Sequence, residues 1–159
     1  HLFWCEQLPA SPAAAIALAE RQIAAAATPV TVVGSSLGGY YATHLAEKHR
    51  LRAVLVNPAV VAHLSLAEFV GPQTNLYSGE TFNFKPEYID ELRSIEVPRI
   101  SRPQDFLLLA ETGDEVLDYR LAVAKYAGCR QVVLEGGDHS FTRWPDYLDE
   151  VLRFAGLSA

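Results

Sequence analysis

The chain has 159 residues, half of them hydrophobic and a fifth charged, which is the composition of one ordinary globular domain. Its formal net charge of −6 argues against a nucleic acid as partner, because phosphate backbones are bound by clustered Lys and Arg. No apolar run reaches the ~18 residues of a membrane span, and the first residues lack the basic and apolar regions of a signal peptide. We therefore expect no membrane partner and a cytoplasmic location, with Cys5 and Cys129 reduced.

Five short apolar runs predict strands, and helical patterns lie between most of them. The runs are 2–5, 30–33, 53–56, 106–110 and 131–134. Helices are predicted over 12–27, 86–94, 116–127 and 145–154, and a further helix follows the glycine-rich turn at 34–38. Ser11 is the predicted N-cap of the first helix. Because the strands alternate with helices and are apolar along both faces, the sequence predicts a mostly parallel sheet with helices on both faces.

The turn Gly34-Ser35-Ser36-Leu37-Gly38 follows a β-branched run and leads into a helical pattern. That strand–turn–helix context is typical of a nucleophile elbow, whose central residue here is Ser36, while Ser35 occupies the variable position. We expect Gly34 and Gly38 to be required for space, because a side chain at either position would collide with the neighbouring strand or helix. The start of the helix would also favour developing negative charge. The alternative is an ordinary glycine-rich turn of another α/β protein.

Polar residues follow the predicted strands at the edge where chemistry gathers in parallel sheets. Ser36 follows the second strand and Asn57-Pro58 the third, while Asp114 and His139 come after the fourth and fifth. Serine, then an acid, then a histidine is the chain order of the triad in α/β-hydrolases. The sequence therefore predicts a nucleophile, an acid and a base at one edge of the sheet.

The base and the acid each have alternatives. His44 and His49 lie too far along the helix after Ser36, because each residue of a helix rises ~1.5 Å, and His1 is terminal. His63 follows the third strand and remains an alternative to His139. Asp114 is the preferred acid because it lies in a turn just past a strand. The remaining candidates for the acid are Glu115, Asp118 and Asp138.

The segment 58–104 is long for a connection between two strands, and only one short helix is predicted within it. It carries the aromatic residues Phe69, Tyr77, Phe82, Phe84 and Tyr88. Long aromatic loops near a site often form lids or the walls of acyl pockets. The alternative is that these side chains cover an exposed flank of the sheet.

Four blocks of the chain together resemble the YqiA-type family of small bacterial α/β-hydrolase esterases. They are residues 34–42, 56–60, 112–120 and 135–141. The resemblance implies the α/β-hydrolase fold, with Ser36 as nucleophile, Asp114 as acid and His139 as base. It also implies hydrolysis of carboxylic ester or thioester acyl groups with neither a cofactor nor a metal.

The chain departs from this family at its beginning. The family opens with an apolar strand and a His-Gly-Phe segment that supplies one oxyanion N–H, while the residue after the nucleophile, here Leu37, supplies the other. No segment of this chain matches that opening, and the chain contains no methionine. We therefore expect about 30–40 residues, a strand and its crossover helix, to be missing before His1.

These observations predict one α/β-hydrolase domain over 1–159, with 58–104 as a candidate lid. The expected function is that of a serine esterase or thioesterase that forms an acyl-enzyme on a small-molecule acyl ester or thioester. The alternatives are a non-catalytic binding module of the same fold and an acyltransferase.

Overall fold

The computed structural model describes residues 3–74 and 79–157. The helices are α1 (Pro12–Ala25), α2 (Leu37–His49), α3 (Ala62–Ser65), α4 (Pro86–Ser94), α5 (Tyr119–Lys125) and α6 (Trp144–Ala155). The strands are β1 (Thr31–Ser35), β2 (Arg52–Val56), β3 (Gly71–Thr74), β4 (Thr81–Phe84), β5 (Phe106–Glu111) and β6 (Arg130–Leu134). These elements form two compact units, a sheet unit over residues 28–60 and 97–157 and a second unit over 3–27 and 61–96.

The sheet unit contains a parallel sheet in the order β1-β2-β5-β6. Its register aligns Ser35 with Val56, and Glu111 with Leu134, so that the carboxyl ends of the four strands meet at one edge. The central strand β5 is buried along its whole length, as an apolar strand covered on both faces must be. The predicted mostly parallel sheet is confirmed, and four of the five predicted strands agree with the structure to within two residues.

Alternate residues of β2 and β5 supply two hydrophobic cores, one on each face of the sheet. On one face Leu55 and Leu108 pack with residues of α2 and α5, among them Ala46 and Ala122. The other face has its own core, in which α6 contributes Val151. Its buried residues are Val54, Val56, Leu107, Leu109, Phe141 and Val151. Helices therefore cover both faces, as predicted.

The predicted strand at 2–5 is wrong for residues 3–5, which have no regular structure, and Leu2 lies outside the described residues. Phe3 is 89% exposed, so this apolar run contributes little to a core. Apolar composition does not make a strand unless a neighbouring strand takes up its backbone hydrogen bonds. None does so within 3–74 and 79–157.

Several helix boundaries also differ from the prediction, and the start of α5 differs most. The Ser11 side chain caps α1 by accepting from the Ala14 N–H, as predicted, but the helix ends at Ala25. Helix α5 begins at Tyr119, three residues later than predicted, because the Asp114 carboxylate takes up the N–H groups just before it. The carboxylate of Asp118 then caps the helix.

The second unit contains an antiparallel hairpin of β3 and β4, which was not predicted. The segment Gly71-Pro72-Gln73-Thr74 lacks the apolar, β-branched residues typical of strands, so only its pairing makes it one. Of the aromatic side chains in 58–104, Phe84 is buried with its ring 5.4 Å from that of Tyr88, whereas Phe69 is half exposed. Tyr77 lies outside the described residues. The lid role of 58–104 and the single domain over 1–159 stay predictions.

Helix α4 belongs to the second unit and is joined to the start of α1 by Glu91. Its carboxylate accepts hydrogen bonds from the Ser11 hydroxyl at 2.8 Å and from the Ala13 N–H at 2.9 Å.

Across residues 3–74 and 79–157, no helix has both the length and the apolar character that crossing a membrane requires.

Candidate active site

Ser36 lies between the end of β1 and the first residue of α2, with backbone angles φ 53° and ψ −122°. Few non-glycine residues adopt such angles, so the turn is strained. A Cβ atom at Gly34 would overlap the Gly38 carbonyl group, so only glycine fits there. The crowding predicted for Gly38 is wrong, because nothing lies within 4 Å of a Cβ atom at that position. The strand–elbow–helix prediction is therefore correct, with one of its two glycines required for space.

The main chain of Ser36 is held by the strand next to it and by the loop that follows that strand. Its N–H donates to the Val56 carbonyl at 3.0 Å, and its own carbonyl accepts from the Ala59 N–H at 2.9 Å. The strained turn thus keeps its shape because backbone hydrogen bonds from outside the elbow fix it.

His139 follows β6 in a loop with two glycines in the left-handed region, Gly136 and Gly137. Its Nε2 atom lies 3.0 Å from the Ser36 Oγ atom, across 103 residues of sequence. The imidazole is mostly buried, with 19% of the side chain exposed. The structure therefore brings the predicted nucleophile and the predicted base into hydrogen-bond contact.

Asp114 follows β5, and both of its carboxylate oxygens lie 2.9 Å from His139 Nδ1. Its Oδ1 atom also accepts from the N–H groups of Val116 and Leu117, each at 2.9 Å. The carboxylate is 1% exposed. A carboxylate in this position holds the proton on Nδ1, so that the lone pair of Nε2 faces the Ser36 hydroxyl.

The other acidic candidates have hydrogen-bond partners other than the imidazole. Glu115 accepts from the backbone N–H of His139 at 3.0 Å. Asp118 caps α5 through the Arg120 N–H. The backbone of Asp138 is bound on both sides, because its N–H donates to Glu111 and its carbonyl accepts from an amide. Asp114 is thus the acidic candidate that the described structure brings to the ring.

The remaining histidine and serine candidates lie elsewhere. His63 Nδ1 lies 3.5 Å from a Glu96 carboxylate oxygen within the second unit. His44 and His49 are residues of α2, and His1 lies outside the described residues. Ser35 ends β1 with an exposed side chain.

Two buried polar residues at this edge of the sheet had no predicted role. Asn57 follows β2 and is 3% exposed, and Glu111 ends β5 and is fully buried. The Glu111 carboxylate accepts from the Asp138 N–H at 2.9 Å, and the Arg143 guanidinium lies 3.2 Å away. The sequence signal that could have indicated Glu111 is a glutamate at the end of an otherwise apolar strand.

Leu37 is the first residue of α2, where backbone N–H groups have no acceptor within the helix. Its predicted role as an oxyanion donor stays a prediction. Among the described residues, no three His, Cys, Asp or Glu side chains are grouped as metal ligands would be. Hydroxyl, imidazole and carboxylate in hydrogen-bonded sequence form an arrangement that can activate a serine for attack on an acyl carbon.

Comparison with known proteins gives one family and many similar folds. The model of the uncharacterised protein family UPF0227 matches residues 3–156. Among solved structures, Est1E from Butyrivibrio proteoclasticus is 17% identical with a TM-score of 0.65, and the match covers 90% of this chain and 66% of Est1E. The esterase domain of a Rhodothermus marinus protein is 23% identical with a TM-score of 0.58, over 88% of this chain and 64% of that one.

A third similar structure is an alpha/beta superfamily hydrolase from Oenococcus oeni. It is 15% identical with a TM-score of 0.62, and the match covers 93% of this chain and 76% of that chain. The chain thus spans about two thirds of the length of Est1E and of the Rhodothermus marinus domain. At these identities the likeness shows the fold alone, and the predicted α/β-hydrolase fold class is confirmed.

Proposed function

Because the chain belongs to the UPF0227 family, whose YqiA-like members its sequence resembles, we propose that it is a serine hydrolase of carboxylic ester or thioester acyl groups. The observation that carries the proposal is the 3.0 Å contact between Ser36 Oγ and His139 Nε2. The Asp114 carboxylate on Nδ1 supports it, because an imidazole held in that tautomer can accept the serine proton.

The proposed reaction has two steps. Ser36 Oγ attacks the acyl carbon while His139 takes its proton, and Asp114 stabilises the imidazolium that forms. The tetrahedral intermediate collapses, the alcohol or thiol leaves with the proton from His139, and the acyl group stays on Ser36. Water then attacks this ester with His139 as base, which releases the acid and restores the serine. The Leu37 N–H, at the N-terminus of α2, is the proposed donor to the oxyanion.

The proposed substrate is a small molecule, and nucleic acids and membranes are not proposed as partners. The net charge of −6 supports the exclusion of polyanions. We also propose a cytoplasmic location for the protein.

The test compares wild type with Ser36→Ala and with its neighbour Ser35→Ala. Fluorophosphonate should label Ser36, and Ser36→Ala should lower kcat on an activated ester by at least ~10³-fold, as loss of a triad serine does. Ser35→Ala should keep most of the activity, because the side chain of Ser35 lies outside the hydrogen-bonded set.

Two results would contradict the proposal. A wild-type protein that neither labels nor turns over any ester or thioester would be a binding module. Loss of turnover in Ser35→Ala but not in Ser36→Ala would show that the elbow is misassigned. Product analysis in the presence of an alcohol separates hydrolysis, which yields the free acid, from acyl transfer, which yields a new ester.

A further inference from the structure

Asn57 is a buried polar residue directly after β2, at the edge of the sheet where the candidate active site lies. Its side chain is 3% exposed, and its φ of 39° places it in the left-handed region. Asn adopts that region more readily than other residues with a Cβ atom. Its burial and its backbone conformation both cost free energy, which hydrogen bonds to the surrounding main chain must offset.

The amide of Asn57 binds main-chain atoms of two segments distant in sequence. Its Nδ2 atom donates to the Asp138 carbonyl at 3.0 Å and to the His139 carbonyl at 3.2 Å. Its Oδ1 atom accepts from the Glu111 N–H at 2.9 Å. The side chain thus joins the end of β5 to the loop that carries the imidazole.

The same short segment also fixes the nucleophile. The Val56 carbonyl accepts from the Ser36 N–H, and the Ala59 N–H donates to the Ser36 carbonyl. Residues 56–59 therefore hold the main chain of Ser36 on one side and, through Asn57, the main chain of His139 on the other. The two attachments thus hold the main chains of the two residues whose side chains meet at 3.0 Å.

We propose that Asn57 is a positioning residue, which sets the distance between His139 and Ser36 by binding the main chain of the histidine loop. This inference rests on the proposed function. An amide is the group that fits, because the three partners are two carbonyl acceptors and one N–H donor. A carboxylate of the same shape could still accept from Glu111 but would face two carbonyl oxygens without a proton to donate.

The variants Asn57→Asp and Asn57→Gly test the proposal. Asp keeps the shape and the tolerance of positive φ and removes the two donors, while Gly removes the whole side chain without backbone strain. Both should lower kcat by about 10²-fold, the effect of displacing a catalytic group by ~1 Å. Because the side chain of Asn57 is 3% exposed and bound to main-chain atoms, KM should change by less than about threefold.

The control is Tyr126→Phe, which removes a buried hydroxyl hydrogen-bonded to Thr43 at 2.8 Å, in the core on the face of the sheet opposite to that of Phe141. It should lower the melting temperature and leave kcat unchanged, so that general destabilisation and displacement of His139 are separated. A second readout, independent of turnover, is the proton NMR resonance of His139 Nδ1–H. It should shift or broaden in both Asn57 variants and stay in place in Tyr126→Phe.

The proposal is overturned if both Asn57 variants fold and keep kcat within about twofold of wild type. It is also overturned if neither variant folds, because Asn57 would then support the whole sheet unit rather than the histidine loop. A wild-type protein without activity or Ser36 labelling would refute the proposed function instead. In that case the His139 resonance still shows whether Asn57 positions the ring.

Discussion

Asp114 and Glu115 are adjacent carboxylates that hold different atoms of the same histidine. Asp114 binds the ring at Nδ1, and Glu115 binds the backbone N–H. The first contact orients the ring and its tautomer, whereas the second holds the main chain. Replacing each carboxylate by the corresponding amide therefore affects a different interaction of His139.

Asp114→Asn should lower kcat by about 10³–10⁴-fold, because the amide cannot stabilise the imidazolium and favours the wrong tautomer. Glu115→Gln should lower it by less than about tenfold, since the amide oxygen can still accept the same N–H. Initial rates on an activated ester measure both effects. An Asp114→Asn protein with full activity would move the acid role to another carboxylate.

Cys129 provides a prediction on the pH dependence of a side-chain reaction. Burial, with a smaller contribution from the Glu47 carboxylate, raises the pKa of the Cys129 thiol to about 11. The reactive thiolate is therefore scarce at neutral pH and increases as the pH approaches that pKa. Cys5 is exposed.

Iodoacetamide at about pH 8 should modify Cys5 first and Cys129 slowly, and the rate at Cys129 should rise steeply at higher pH. Mass spectrometry of the two peptides over time measures both rates, and Cys5→Ser should remove the fast phase alone. Equal rates at the two cysteines would contradict the prediction.

At the scale of elements, the loop between β6 and α6 is a part of the site with little room for change. Gly137 has φ 76°, and a Cβ atom there would overlap the carboxyl group of Glu111. That carboxylate is fully buried and binds the loop through the Asp138 N–H. A side chain at 137 would therefore displace the loop or the carboxylate.

Gly137→Ala should lower both the melting temperature and kcat, because the loop that carries His139 must move. Gly156→Ala is the matched control, since Gly156 has the same φ of 76° but its Cβ atom would meet only the end of the Arg52 side chain. It should cost about 1–2 kcal/mol of stability for the left-handed conformation and leave kcat unchanged. Calorimetry and ester assays measure the two effects, and equal losses of kcat would contradict the prediction.

The elements that could be predicted are those whose signal is local. The four parallel strands coincide with short apolar runs, and the elbow is one contiguous motif, so both follow from short stretches of sequence. The hairpin of β3 and β4 and the irregular run at 3–5 could not be predicted, because pairing with another segment decides them.

The candidate site likewise contains residues that could be predicted from the sequence and residues that could not. Ser36, Asp114 and His139 were predicted because each follows a strand, and parallel strands bring their ends together. The contact of Asn57 with the Asp138 carbonyl joins residues 81 positions apart, and that of Glu111 with the Asp138 N–H joins residues 27 positions apart. Side chains that bind a distant main chain have no pattern of spacing to indicate them.

At the scale of the whole molecule, charge limits the partners. A chain with a net charge of −6 should not bind duplex DNA near physiological salt, because no counterion release drives association without clustered cations. Fluorescence anisotropy of a labelled duplex should stay unchanged as protein is added. Binding that weakens steeply with salt would contradict the prediction that nucleic acids are not partners.

The 103 residues between Ser36 and His139 also have a consequence for biosynthesis. Ribosomes add about 5–20 residues per second, so the serine is made some 5–20 s before its histidine. During that interval the hydroxyl lacks its proposed base, so we expect its reactivity to be that of an ordinary alcohol. The proposed function thus implies that the nascent chain is protected from acylation during synthesis, and that reactivity begins when β6 joins the sheet and brings His139 to Ser36.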